Sequence, residues 1–257
     1  MMKIVIFITS LILIVGCSKP VNIETLASEE KVYSGKVFSY WDNGNNRLKG
    51  SYKNGEKDGR WTYWYENEQK EKKGTYRDGV EEGKWIYWRE SGKPLMKGKY
   101  KNEKKNGIWV YWYKNGRKKK KGTYRDDAEE GKWTYWYENG KPSKKGKYKN
   151  EKKEGKWTYW YENGQINLEG TFNNNVKVGK WGEWYKNGNI KIEGTYSDKD
   201  GKKIGIWTYW YESGLEKQKG FYINDKKYGK WTYWDRNGKK EWERMYRNDE
   251  LINKMEY

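Results

Sequence analysis

Gly155-Lys156-Trp157-Thr158-Tyr159-Trp160-Tyr161-Glu162-Asn163-Gly164 is the stretch whose reading decides the fold. It returns nearly unchanged from Gly131 to Gly140. It is recognisable from Gly59, Gly83, Gly107, Gly179, Gly205 and Gly229, with a weaker copy from Gly35 to Gly44. Opening glycines lie 24 residues apart at every step but one; Gly179 to Gly205 takes 26. A fixed short period marks a repeat array, in which each unit stacks on its neighbours and shares its stability with them.

Counted from the opening glycine, Trp stands at +2 and +5, Tyr at +4 and +6, and Asn-Gly at +8 and +9. A second Gly follows at +15 (Gly146, Gly170) and a ring at +17 (Tyr148, Phe172). Glycines at fixed places and a central Asn-Gly oppose helix. Thr, Tyr and Trp favour strands. Asn-Gly between two such runs signals a hairpin, because both residues tolerate positive φ. Each unit therefore predicts a strand from about +1 to +7, a turn, a strand from about +12 to +18, and a polar turn into the next unit.

Side chains alternate across a strand. Trp +2, Tyr +4 and Tyr +6 are expected on one face, Thr +3 and Trp +5 on the other. Neither face is plainly polar, so two arrangements stay open: a single layer with aromatic ladders, or a sheet curled onto one aromatic face. Gly +15 is expected to leave room for a ring from the adjacent strand. The fold class that follows is all-β, an elongated antiparallel sheet of about nine tandem 24-residue hairpins over residues 35–257.

Composition supports a folded array. With 18 Trp and 25 Tyr, the chain is far richer in rings than a disordered one, although 35% of its residues are charged. Net charge is +19, which favours anionic partners. Lysine pairs crowd the second strand and the turns, as at Lys72-Lys73, Lys104-Lys105, Lys152-Lys153 and Lys226-Lys227. There they keep an aromatic sheet soluble and deter edge-to-edge pairing, or form a basic ridge facing an anionic surface.

Catalytic chemistry is scarce. The chain holds no histidine and one cysteine, which removes the commonest general base and any Cys-rich metal site. Glu82, Glu130, Glu154 and Glu162 lie at repeated, solvated positions, whereas an acid–base pair needs a unique desolvated setting. The expectation is no enzyme, no cofactor and no metal.

The N-terminus stands apart. Lys3 precedes an apolar run from Ile4 to Val15, the layout of an export signal over residues 1–16. Ile14-Val15-Gly16-Cys17 resembles the lipobox of bacterial lipoproteins. The resemblance implies cleavage after Gly16 and lipid attachment at Cys17; the alternative is a chance cysteine after an ordinary secretory signal. Residues 17–34 read as a flexible lipidated tether. As a loose coil, residues 18–34 would span roughly 20–25 Å. The expected location is the cell envelope, lipid-anchored to a membrane, the outer membrane if the cell has one. Export lowers any prospect of a nucleic-acid partner.

Gly-x-Trp-x-x-Trp-Tyr-x-Asn-Gly, followed by Gly-x-Tyr, resembles the MORN-repeat variant of bacterial proteins, some of them labelled YwqK-type antitoxin components. The resemblance covers residues 35–257. It implies stacked antiparallel hairpins, and binding or scaffolding rather than catalysis. Departures fall at the ends and at two interior places. Unit one has Val37, Tyr40 and Trp41 where Trp, Trp and Tyr are usual, and the ninth unit has Asp235 and Arg244. Glu68 replaces a turn glycine. Gly182-Glu183 replaces Thr-Tyr and, with the extra residues near Asp200-Gly201, marks units seven and eight for a bend or a special contact.

The functional expectation is a membrane-anchored lipoprotein that binds a partner through its aromatic and basic sheet. Trp133, Trp136, Trp157, Trp160, Trp181 and Trp184 are the candidate binding rings. The partner is an unidentified protein, an anionic glycan or a lipid headgroup. The alternative is an antitoxin- or immunity-like protein that neutralises a toxin by stoichiometric binding. A mechanical spacer is a third possibility.

Overall fold

The computed structural model describes residues 34–257, together with the backbone of Val5–Ile8 and Leu11–Leu13. It divides into two compact bodies, one up to Ala128 and one from Glu129 to Tyr257. The first contains β1 (Val5–Ile8), β2 (Leu11–Leu13), β3 (Gly35–Tyr40), β4 (Asn46–Lys53), β5 (Glu56–Trp64), β6 (Lys70–Arg77), β7 (Val80–Trp88), β8 (Pro94–Lys101), β9 (Lys104–Trp112) and β10 (Lys118–Arg125). The second contains β11 (Ala128–Trp136), β12 (Pro142–Lys149), β13 (Lys152–Trp160), β14 (Ile166–Asn173), β15 (Val176–Trp184), β16 (Ile190–Tyr196), β17 (Lys203–Trp210), β18 (Glu216–Ile223), β19 (Lys226–Trp234), β20 (Lys240–Arg247) and β21 (Glu250–Glu256). No helix occurs among the described residues.

Within each body, consecutive strands from β3 onward pair antiparallel as an open meander. β1 also lies antiparallel to β2 and to β3, with Val5 opposite Phe38. The all-β hairpin array is therefore observed, and in each body it is a single layer.

The unit boundaries differ from the sequence expectation. The first strand of the hairpin runs from −3 to +5, as in Lys152–Trp160, so the opening glycine lies inside it. Gly155 has φ +66°, a region that side chains with a Cβ resist. There the register against β12 shifts: Lys147 faces Glu154, yet Lys145 faces Thr158. The opening glycine is thus the pivot of a β-bulge.

The turns differ too. At Asn163-Gly164 only the glycine has positive φ, at +95°. Gly164 N–H donates to Tyr161 O at 2.9 Å and Tyr161 N–H to Gln165 O at 2.8 Å. This is a three-residue loop closed by a left-handed glycine. The turn with two positive-φ residues is the one between units, Asn174-Asn175 at +48° and +70°, the signature of a type I′ hairpin. Sequence reading assigned that geometry to the other end of the hairpin.

Each body shelters its rings on one face of its sheet. Trp61, Trp85, Trp109, Trp133, Trp157 and Trp231 are at most 1% exposed. Trp157 shows why. Its indole lies flat on Gly146 of the preceding hairpin, where an added Cβ would fall inside the ring. Tyr148 and Phe172 meet it edge-on at 5.0 and 6.4 Å, and Tyr159 stacks beside it at 5.9 Å. Its Nε1–H donates to Lys147 O at 3.1 Å. The same contact repeats for Trp61 on Gly50, Trp85 on Gly74, Trp181 on Gly170 and Trp231 on Gly220. Edge-to-face pairs contribute about 0.5–1.5 kcal/mol beyond area burial, so each hairpin is held by the glycine and rings of its neighbour.

Candidate functional site

The departures at the array's ends follow from that contact. Trp +2 needs a glycine in the unit before it, and unit one carries Val37, buried at 7% exposure, in that place. Gly +15 serves the unit after it. In the ninth unit Arg244 occupies that position, its guanidinium 5.1 Å from the Tyr233 ring centre and 5.7 Å from that of Trp242.

Residue +6 lies just beyond the strand rather than on the aromatic face. It clips successive hairpins instead. Tyr161 Oη–H donates to Trp184 O at 2.8 Å and Tyr137 Oη–H to Trp160 O at 2.6 Å. Trp41 and Arg89 make the same bond through nitrogen, to Trp64 O and Trp112 O. Asp235 instead accepts from Asn237 and Lys239 N–H within its own turn.

The aromatic face carries a feature that sequence reading missed. Lys153, at −2, places Nζ 5.2 Å from the Trp157 ring centre and 4.8 Å from that of Phe172, and donates to Tyr159 Oη at 2.8 Å. Lys57, Lys105, Lys177, Lys203 and Lys227 repeat the position. Burial lowers the pKa of Lys57, Lys153 and Lys177, while ring faces attract the ammonium. These lysines cover the rings as well as solubilise the sheet. In unit three the position holds Glu81, whose pKa burial raises, 3.4 Å from Tyr76 Oη and 3.9 Å from Lys72.

The six candidate rings split into two groups. Trp133, Trp157 and Trp181 are 0%, 0% and 4% exposed, occupied in joining hairpins. Trp136, Trp160 and Trp184 are half-buried at strand ends. Gly16 and Cys17 lie outside the described residues.

Unit seven breaks the pattern where Gly182-Glu183 stands. Glu183 occupies the ring position on the aromatic face and pairs with Lys191. On the other face Gly182 has no side chain, and the Trp184 ring folds back over it, where a Cβ on Gly182 would collide. A groove of about 340 Å³ results, lined by Gly182, Trp184, Glu169, Glu193, Lys180 and Thr171 among others. Ligand pockets occupy about 300–1,000 Å³, so this groove reaches the lower end. Glu169 is fixed by Lys156 at 2.7 Å and by Thr158 Oγ1 at 2.9 Å. Among the described residues no group of three or more acidic or cysteine side chains is placed to hold a metal.

Comparison with known proteins bears on the fold. A family model described as a MORN repeat variant matches residues 57–78, 81–102, 105–126, 129–150, 153–174 and 177–198. No curated protein matches the chain. Among solved structures, "Crystal Structure of TcdB2-TccC3" and "Crystal Structure of TcdB2-TccC3-Cdc42" match at 10% and 9% identity. The matches cover 97% of this chain but only 16% and 15% of theirs, each with a TM-score of 0.21. At that score the likeness bears on neither fold nor function.

Proposed function

The chain belongs to the MORN repeat variant family, and from that premise we propose that it is a non-enzymatic binding scaffold, held at a membrane by acyl chains on Cys17. A repeat-based binding or scaffold role is what the family and the geometry support together. The carrying observation is the row of lysines seated over rings, repeated at Lys57, Lys153, Lys177 and Lys227. The indoles beneath are buried, so what these half-buried cations present is charge beside the partly exposed Tyr63, Tyr159 and Tyr233 rings. That pairing suits an anionic or ring-bearing partner. The anchor is supported by Ile14-Val15-Gly16-Cys17 directly after an apolar run, and more than one acyl chain is what makes such an anchor durable.

Two experiments test the two halves. Cell fractionation of Cys17→Ala reads the anchor: release from the membrane fraction is expected, and unchanged retention refutes it. Chemical cross-linking of the full chain in its own envelope, followed by purification, reads the scaffold. A specific and reproducible partner is expected, and recovery of the chain alone refutes it. A one-to-one complex with a single toxic protein would favour the neutralising alternative.

A further inference from the structure

Resting on that binding reading, we infer that the groove over Gly182 is a saccharide-binding site with the Trp184 indole as its platform. Gly182 lies on β15, directly opposite Glu169 of β14 and Glu193 of β16. Equivalent places from unit two onward carry a side chain between lysines, or between a lysine and a glutamate, and Phe38 in unit one faces Val5 and Lys49. Thr158 sits between Lys145 and Glu169, and Thr208 faces Glu193 and Lys219. Among the described residues, only Gly182 has a carboxylate on both sides and no Cβ between them. The missing Cβ is what lets the indole lie back against the sheet.

A pyranose ring presents an apolar C–H face and a rim of hydroxyls that both donate and accept. The groove matches both. Trp184 offers a flat apolar surface, Glu169 and Glu193 offer acceptors, and Lys180 and Thr171 offer donors. Glu169 is already oriented by Lys156 and Thr158, so its acceptor direction is set before a ligand arrives.

A second depression of about 360 Å³ adjoins the first and shares Lys180 and Glu193 with it. Thr195, Thr208 and Lys219 supply its polar lining. The two floors sit about two strand spacings apart, roughly 10 Å. A ligand that reaches both is a chain of sugars laid across the strands rather than a single residue. Two carboxylates balanced by Lys156 and Lys180 leave the groove near neutrality. A basic peptide is disfavoured by the chain's net charge of +19.

The test applies the full chain to a printed array of neutral and anionic oligosaccharides, then titrates the best-retained one by calorimetry. Gly182→Thr restores the residue common in other units and places a side chain where the Trp184 ring rests, displacing the platform. Glu193→Lys restores the common charge. Both substitutions keep the repeat pattern, and unchanged circular dichroism and melting would establish that they fold. The expected result is retention of an oligosaccharide, with affinity reduced at least tenfold by Gly182→Thr and by Trp184→Ala. Retention of none, or equal affinity in Gly182→Thr, overturns the site. So does a signal given by basic peptides alone. A chain that binds no sugar yet still captures a protein partner removes this site and leaves the scaffold reading standing.

Discussion

The Trp157 indole lies face-down on Gly146, the glycine of the preceding hairpin, so closely that no side chain fits between them. Trp157 is fully buried as a result. One residue's absence of a side chain is another's burial, and the pair spans two units. Replacing the glycine therefore strikes the joint rather than the unit that carries it. Gly146→Ala should destabilise the protein by about 1–3 kcal/mol, the usual range for overpacking. Urea unfolding followed by Trp fluorescence would measure it. A midpoint equal to that of the parent would show that the joint has slack.

The Tyr +6 clip is separable from the rings. Tyr161→Phe removes the bond to Trp184 O, 2.8 Å long, and keeps the ring. The expected cost is about 0.5–1.5 kcal/mol. It should appear locally, as faster amide exchange in the loop at residues 185–189, while strand amides elsewhere stay protected.

Turn chemistry offers a stabilising change. Glu151 sits at φ +62° in the type I′ turn, where a residue with a Cβ is strained by roughly 1 kcal/mol or more. Its N–H bond to Glu129 O, at 3.2 Å, is a backbone bond that glycine keeps. Glu151→Gly should raise stability by about 0.5–1 kcal/mol even after glycine's entropy cost, as a higher urea midpoint.

Alkali should unfold the protein. Burial raises the Tyr76 pKa from 10.0 to about 12, and raises those of Tyr63, Tyr87, Tyr209 and Tyr233 as well. A raised folded pKa means that the native state keeps a proton which the unfolded state gives up above pH 10. Stability is then full below pH 10 and falls as pH rises toward 12. The lowered lysines act oppositely: burial penalises the Lys153 ammonium, and that penalty is relieved as pH rises toward 10.5. With more tyrosines shifted than lysines, the fall should win. Absorbance at 295 nm should rise steeply together with loss of the β-sheet dichroism. A gradual rise with the sheet intact would contradict the burial.

Much of this was legible in the residues. The 24-residue period gave the array, and the ring spacing gave the face shared by Trp157 and Tyr159. The role of Gly146 as clearance for a neighbour's ring also followed from its place between ring positions. The errors have two origins. A strand that starts at about +1 omits the first four residues of β13, Lys152 to Gly155, and puts Lys153 in a turn. Its parity with Trp157 was visible all along, two steps of two residues away. The type I′ turn escaped because its second residue varies, being Gly55, Glu103, Asn175 or Asp225, so no single pair announces it. Trp184 could not be separated from Trp160 by pattern alone; the difference lies in what Gly182 permits.

Arg244 carries a consequence for descent. A segment such as Gly155 to Val178 brings both an indole, Trp157, for the hairpin before it and a bare glycine, Gly170, for the hairpin after it. Tandem duplication of such a segment therefore yields a longer protein with every joint intact. A copy inserted beyond Arg244 would meet a guanidinium where its own indole must rest. Duplication of an interior segment therefore keeps every glycine-indole joint, whereas a copy placed directly after Arg244 lacks one.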